Sequence, residues 1–280
     1  MPELPEVETV RAQLAPLVEG RTLERLEVED QRWCVPLSPD ELARAVEGRT
    51  TTKLGRRGKY LIWTFDDEVH LLIHLRMTGA LLYDPKPDAR FHRVTFTLGD
   101  GHTVWFCDQR RFGTGELALG EEGLQAFFAP RLGVEPLSDE FTPQVLQALA
   151  RGRRSPAKAF LLDQTKVAGV GNIYADEALF RAKIHPLRPI GTLKRPQFEA
   201  LHEGVVQALT LGLENGGSTI ENFQRTDGTK GSMQDEFLVH LRKGEPCGRC
   251  GREIVKMVAA GRGTYVCEGC QPRPRGLRRA

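Results

Sequence analysis

A chain of 280 residues, 40% hydrophobic and 27% charged, is long enough for two domains with adequate cores and has an ordinary globular composition. The formal net charge of +2 excludes a uniformly basic or acidic protein, yet Asp235–Ala280 carries +5 and the remainder −3, which points to a polyanion partner for the C-terminal part. No apolar run is long enough to span a membrane and the acidic, proline-rich start is unlike a secretory leader, so a cytosolic setting is expected, in which clustered cysteines are metal ligands before they are disulfides.

The chain opens Met-Pro-Glu-Leu-Pro-Glu-Val-Glu. Removal of Met1 would leave Pro2 with a free secondary amine. Such an α-amine has a reference pKa of about 7.7–8.0, so roughly a tenth is neutral at pH 7 and can attack an electrophilic carbon to give an iminium. Glu3 and Glu6 lie beside it as proton carriers. The same residues also suit a plain helix start, where proline and acids are common. Val7, Val10, Leu14, Leu17 and Val18 then share one helical face, closed by Gly20.

Short strands follow at 22–28, 60–65, 70–75, 93–98 and 103–107, with turns at Asp66-Asp67 and Gly99-Asp100-Gly101. They predict an N-terminal β-sandwich with few helices. Three stretches carry chemistry. Gly55-Arg56-Arg57-Gly58-Lys59-Tyr60 reads as a basic loop entering a strand, suited to a phosphate or simply solvated. Ile73-His74-Leu75-Arg76-Met77-Thr78-Gly79 ends a strand, with His74 and Met77 as core residues or contacts. Asp108-Gln109-Arg110-Arg111-Phe112-Gly113 is an arginine–aromatic loop, either a turn with Phe112 tucked inward or a device that unstacks a base step.

Residues 132–138 form a plausible hinge, after which helices are expected at 142–150, 156–163, 174–182 and 195–214. A cleft between two such domains commonly holds a nucleic acid or ligand. Gly169-Val170-Gly171-Asn172 precedes a helix, with bare backbone N–H groups for a phosphate and Asn172 as the N-cap. Residues 218–237 are polar and glycine-bearing and read as a mobile loop. Cys247-x2-Cys250 and Cys267-x2-Cys270, 16 residues apart, form a strong tetrahedral zinc signature, closed and structural because all four ligands are protein thiolates. Strands at 254–258 and 264–266 flank a turn at 260–263, which makes the module a β-hairpin finger with Arg262 at its tip. Cys34 and Cys107 fit neither knuckle and read as buried filler. Residues 271–280 are a basic tail that adds salt-sensitive affinity.

These motifs, in this order, resemble formamidopyrimidine-DNA glycosylases, the bacterial enzymes that remove oxidised purines from DNA. The resemblance runs from Pro2 to Cys270 and starts with Pro-Glu-Leu-Pro-Glu-Val-Glu-Thr. It implies an α+β multidomain fold: an N-terminal β-sandwich with an N-terminal helix (1–132), a helix–two-turn–helix domain with a capping loop (133–234), a zinc finger (235–270) and the tail. The catalytic set it implies is Pro2 as nucleophile, Glu3 shuttling the proton at the sugar ring oxygen, Glu6 supporting the amine and Lys59 on a phosphate. Met77, Arg110 and Phe112 would fill the gap left by an extruded base, with Arg110 reading the orphaned cytosine. His74, Lys158, Asn172 and Arg262 would be further DNA contacts, and one structural Zn2+ would sit on the four cysteines. Ser232-Met233 stands where many members carry an aromatic, a departure in the cap. The implied partner is damaged double-stranded DNA, lesion opposite cytosine, met by a monomer in the bacterial cytoplasm at the nucleoid. Two other readings stay open: the related pyrimidine-type glycosylase, disfavoured by Glu-Leu-Pro-Glu at 3–6 and by the Arg-Arg-Phe loop, and a silent DNA-binding zinc protein, disfavoured by intact Pro2, Glu3 and Lys59.

Overall fold

The computed structural model describes residues 1–84, 91–220 and 223–274, and divides into two compact units, Met1–Pro130 with Gly212–Gln234, and Arg131–Leu211 with Asp235–Ala280. Residues 212–234, attached to the helical domain in the sequence reading, thus group with the N-terminal unit. Among the described residues there are seven α-helices and ten strands.

In the first unit, α1 (Leu4–Val18) buries Val7, Val10, Leu14 and Val18 and starts with Pro5 in its first turn. Eight strands then form two antiparallel sheets, ordered β1 (Leu23–Val28), β6 (His92–Leu98), β7 (Thr103–Asp108), β5 (Gly79–Tyr83) in one and β2 (Thr51–Arg57), β3 (Tyr60–Phe65), β4 (Val69–His74), β8 (Thr114–Leu119) in the other. Trp63 of β3 stacks on Phe96 of β6 with ring centroids 5.1 Å apart, so the two sheets share one core and the unit is a β-sandwich. Strands β1, β4 and β7 lie where the residue pattern places them; β2, β5 and β8 are additional. So are the short helices α2 (Pro39–Val46) and α3 (Gly120–Phe128). The stretch 55–60 is therefore no loop: Arg57 pairs with Tyr60 across a two-residue turn formed by Gly58 and Lys59.

The second unit holds α4 (Pro143–Ala150), α5 (Ala157–Leu162), α6 (Asn172–Arg181), most of α7 (Arg195–Glu214) and the hairpin of β9 (Val255–Ala259) and β10 (Arg262–Val266). Arg262 pairs with Ala259, so the turn is only Ala260-Gly261, both at positive φ (52° and 68°), the backbone of a tight two-residue hairpin. No helix is long and apolar enough to cross a membrane among the described residues. Residues 275–280 of the expected basic tail, and 221–222 of the expected capping loop, lie outside the described residues.

Candidate active site and nucleic-acid interface

The N-terminal site is built around the first turn of α1. Pro2 is buried beneath an exposed Met1, and Glu3 and Glu6 are each 1% exposed. Glu6 Oε2 accepts the Glu3 N–H at 2.8 Å, while Oε1 accepts the Ser218 N–H at 2.7 Å and its hydroxyl at 3.1 Å. One carboxylate thus closes the helix start and anchors the 217–218 backbone. A Cβ on Gly217 would lie 2.8 Å from Glu6 Cγ, and its φ is +77°, so glycine permits this approach twice over. Thr226 is held as well, its N–H donating to Gln13 Oε1 at 3.0 Å and its carbonyl accepting from Tyr83 N at 3.0 Å. Met233 is fully buried, with its N–H on the Gly217 carbonyl at 3.1 Å. The segment expected to be mobile is therefore tied down at several described points.

Lys59 is 5% exposed in the β2–β3 turn. Arg56 braces that turn against α1, donating to Glu8 Oε2 at 2.8 Å and to the Gly58 carbonyl at 3.0 Å. His74 lies across from Tyr60 in the sheet, with ring centroids 4.6 Å apart. Its Nδ1 accepts the Arg76 N–H at 2.9 Å, which leaves the proton on Nε2. Burial, with Arg76 and Lys59 nearby, pushes its pKa down to about 3, so the ring is a neutral donor and no cation. Met77 is half-buried in the loop after β4. Arg110 and Phe112 are exposed, the guanidinium lying 4.8 Å from the Phe112 ring centroid. Phe112 is thus not tucked inward.

In the second unit, Gly171 is the N-cap of α6, one place before the expected Asn172, which is instead the first helical residue, because Gly171 holds extended backbone angles (φ −125°, ψ −158°). Gln164 braces the preceding turn: its amide donates to the Val170 carbonyl at 2.9 Å and its oxygen accepts the Gly169 N–H at 2.9 Å. Asn172 Nδ2 donates to the Gly263 carbonyl at 3.1 Å, tying the helix to the finger hairpin. Lys158, expected near the DNA, is buried inside the second unit. Its Nζ, 0% exposed, is 2.7 Å from Asp176 Oδ1 and 2.7 Å from Thr264 Oγ1, so it holds β10 from inside. Asp176 Oδ2 is 2.8 Å from His240 Nδ1, and buried Glu177 accepts the N–H groups of Leu238, Val239 and His240 at 2.9–3.0 Å. Arg262 is exposed at the hairpin tip.

The Sγ atoms of Cys247, Cys250, Cys267 and Cys270 lie within 4.8 Å of one another. The Cys247–Cys270 and Cys250–Cys267 separations of 3.8 and 3.4 Å are far beyond a disulfide and near the edge of a tetrahedron with Zn–S bonds of about 2.3 Å. The donor set fits one structural zinc ion. Cys34 is buried; Cys107 is partly buried, and that burial pushes its thiol up to about 11.

Family models place these features together. The N-terminal domain of formamidopyrimidine-DNA glycosylase matches residues 1–115, its H2TH domain residues 132–224, and the zinc finger found in FPG and IleRS residues 244–273. A formamidopyrimidine-DNA glycosylase of Roseiflexus sp. (strain RS-1) is 44% identical over 97% of this chain and 100% of its own. The chain belongs to the formamidopyrimidine-DNA glycosylase family. Among solved structures, the Lactococcus lactis Fpg in complex with abasic-site DNA is similar at a TM-score of 0.90 and 36% identity, covering 97% of this chain and 100% of that one. The wild-type L. lactis protein with DNA containing an oxidised pyrimidine gives 0.89 at 36% identity, with the same coverage.

Several residues that build the site escape sequence reasoning. Arg56 was visible only as part of a basic run, and Asp176 and Glu177 only as polar residues on a helix. Their signal is burial: both acids of α6 are 0% exposed, and a carboxylate is rarely found there without donors.

Proposed function

We propose that the chain is a bifunctional DNA glycosylase and AP lyase of base excision repair, which removes 8-oxoguanine and formamidopyrimidines from duplex DNA. With Met1 removed, the Pro2 nitrogen bonds to the sugar C1′ of the extruded nucleotide as the bond from C1′ to the base breaks. The base leaves with the bonding pair and takes up a proton. Glu3 carries the proton to the ring oxygen, so the sugar opens to an iminium. The iminium acidifies the C2′ proton; its loss expels the 3′ phosphate, and a second elimination expels the 5′ phosphate. Glu6 supports the amine indirectly, through the Glu3 backbone and the Ser218 segment. Met77, Arg110 and Phe112 fill the gap, with Arg110 on the orphaned cytosine. Lys59, neutral His74, Asn172 and Arg262 hold backbone phosphates, and Lys158 serves the hairpin. The protein works as a monomer on the bacterial chromosome in the cytoplasm.

The observation that carries this reading is a buried residue-2 proline at a helix start with two carboxylates each 1% exposed, in a chain of this family. Borohydride reduction during reaction with an 8-oxoguanine·cytosine duplex should leave a covalent DNA adduct whose peptide map puts the sugar on Pro2. An active protein that retains Met1, or an adduct on Lys59, overturns the mechanism. The oxidised-pyrimidine complex of the L. lactis relative favours a second substrate class, which a thymine-glycol duplex cleaved beside the 8-oxoguanine duplex would reveal.

A further inference from the structure

The three side chains assigned to the gap come from two loops. Met77 stands between β4 and β5; Arg110 and Phe112 stand between β7 and β8. A single carboxylate joins the loops. Asp108, the last residue of β7, is 1% exposed. Its Oδ1 accepts the Thr78 hydroxyl and the Arg110 N–H (3.1 Å), and its Oδ2 accepts the N–H groups of Phe112 and Gly113, each at 2.8 Å. Thr78 Oγ1 in turn accepts the Arg110 N–H at 3.1 Å, so that donor is shared between the loops. Arg111 takes φ +58° to close the turn. A Cβ on Gly113 would meet Phe106 Cζ at 2.4 Å, so only glycine lets this backbone close on Asp108.

We infer that Thr78 and Asp108 are positioning residues for base extrusion, their hydrogen bonds making Met77, Arg110 and Phe112 one preorganised wedge. The inference rests on the activity proposed above. An inserting wedge must hold its shape against a base stack that resists opening. Donors fixed on a buried carboxylate are not reordered when DNA arrives, which removes the ordering penalty two independent loops would carry. Thr78 lies beside Met77 and bonds the Arg110 backbone, so each loop is registered against the other within one hydrogen bond of its working side chain.

Thr78→Val keeps the shape and removes both roles of the hydroxyl. Single-turnover excision of 8-oxoguanine opposite cytosine should fall roughly ten- to hundredfold, the range of a hydrogen bond to a charged group. Cleavage at a preformed abasic site should fall by at most about threefold, because no stacked base has to be expelled. Thr78→Ser should recover excision, and Asp108→Asn should show the same split between substrates. If Thr78→Val keeps wild-type selectivity, or if both activities and the melting temperature drop in parallel, the wedge is not organised this way. Wild-type protein that cleaves neither duplex sinks the proposed activity itself, a different outcome from an active wild type with an indifferent Thr78.

Discussion

Glu6 in the first unit and Asp176 in the second are both buried carboxylates that hold a site segment in place, and their donors differ in kind. The Glu3 and Ser218 backbone N–H groups and the Ser218 hydroxyl that Glu6 accepts are neutral donors. Asp176 faces the Lys158 ammonium, the His240 ring and the Tyr265 N–H, at 2.7, 2.8 and 3.3 Å. A backbone donor is lost only to a proline, whereas most side-chain changes leave it in place. An ionic cluster has members that can be removed one at a time, each removal leaving a charge without compensation in a low-dielectric interior. The finger hairpin should therefore be the more fragile of the two segments.

The largest test of that difference is zinc removal. The finger's core is small: Phe180, Val239, Ile254 and Tyr265 packed with Cys247 and Cys267. Structural zinc contributes about 10–16 kcal/mol in finger peptides, far more than such a core can replace. Chelation should unfold the hairpin and remove the contribution of Arg262 to the salt slope of DNA binding, while the β-sandwich keeps its own unfolding transition. An apo protein with native finger signals by NMR would show that the ionic cluster holds the hairpin without metal.

Next in size is Lys158→Met. It leaves Asp176 with its other donors but without the ammonium, and should destabilise the second unit by about 3–5 kcal/mol in denaturant unfolding. The companion Lys158→Met/Asp176→Asn removes both charges while keeping an oxygen for His240 and Tyr265, and should recover much of that loss. Because Lys158 also donates to Thr264, undamaged-duplex affinity should fall with the single variant although Nζ is 0% exposed. A single variant as stable as wild type, with weakened binding, would return Lys158 to the DNA contact that the resemblance implies.

Where the residue pattern has period and punctuation, the fold was legible. The buried face of α1, the bounds of α7 and the two cysteine knuckles all follow from spacing. Strands β2, β5 and β8 were not legible. Thr51–Arg57 reads as charged because Thr52 and Lys53 are exposed, Arg56 is paired with Glu8 of α1 and Arg57 is only partly buried, which leaves Thr51 and Leu54 as the buried anchors. β5 opens on Gly79, whose Cβ would lie 2.4 Å from the Leu75 carbonyl, a contact that no local propensity encodes. Of the site, residue types and their order were readable. What each carboxylate faces was not, since Glu6 and Ser218 are 212 positions apart and Lys158 and Thr264 are 106 apart.

The smallest effect separates two roles for Glu6. In Glu6→Gln one oxygen becomes an NH2 group, and either orientation turns it toward a backbone N–H, of Glu3 or of Ser218, that the carboxylate now accepts. The loss should be about 1–3 kcal/mol of stability, below that of Lys158→Met, because a neutral rather than a charged group loses its partner. Ser218→Ala, which removes only the 3.1 Å hydroxyl bond, should lose about 0.5–1.5 kcal/mol. If Glu6 acts by holding the helix start, borohydride trapping at Pro2 should decline in step with stability across these two variants. If Glu6 instead exchanges a proton with the amine, Glu6→Gln should abolish trapping beyond what its stability loss explains, while Ser218→Ala declines only in step with stability, and the pH profile of trapping should change shape in Glu6→Gln alone.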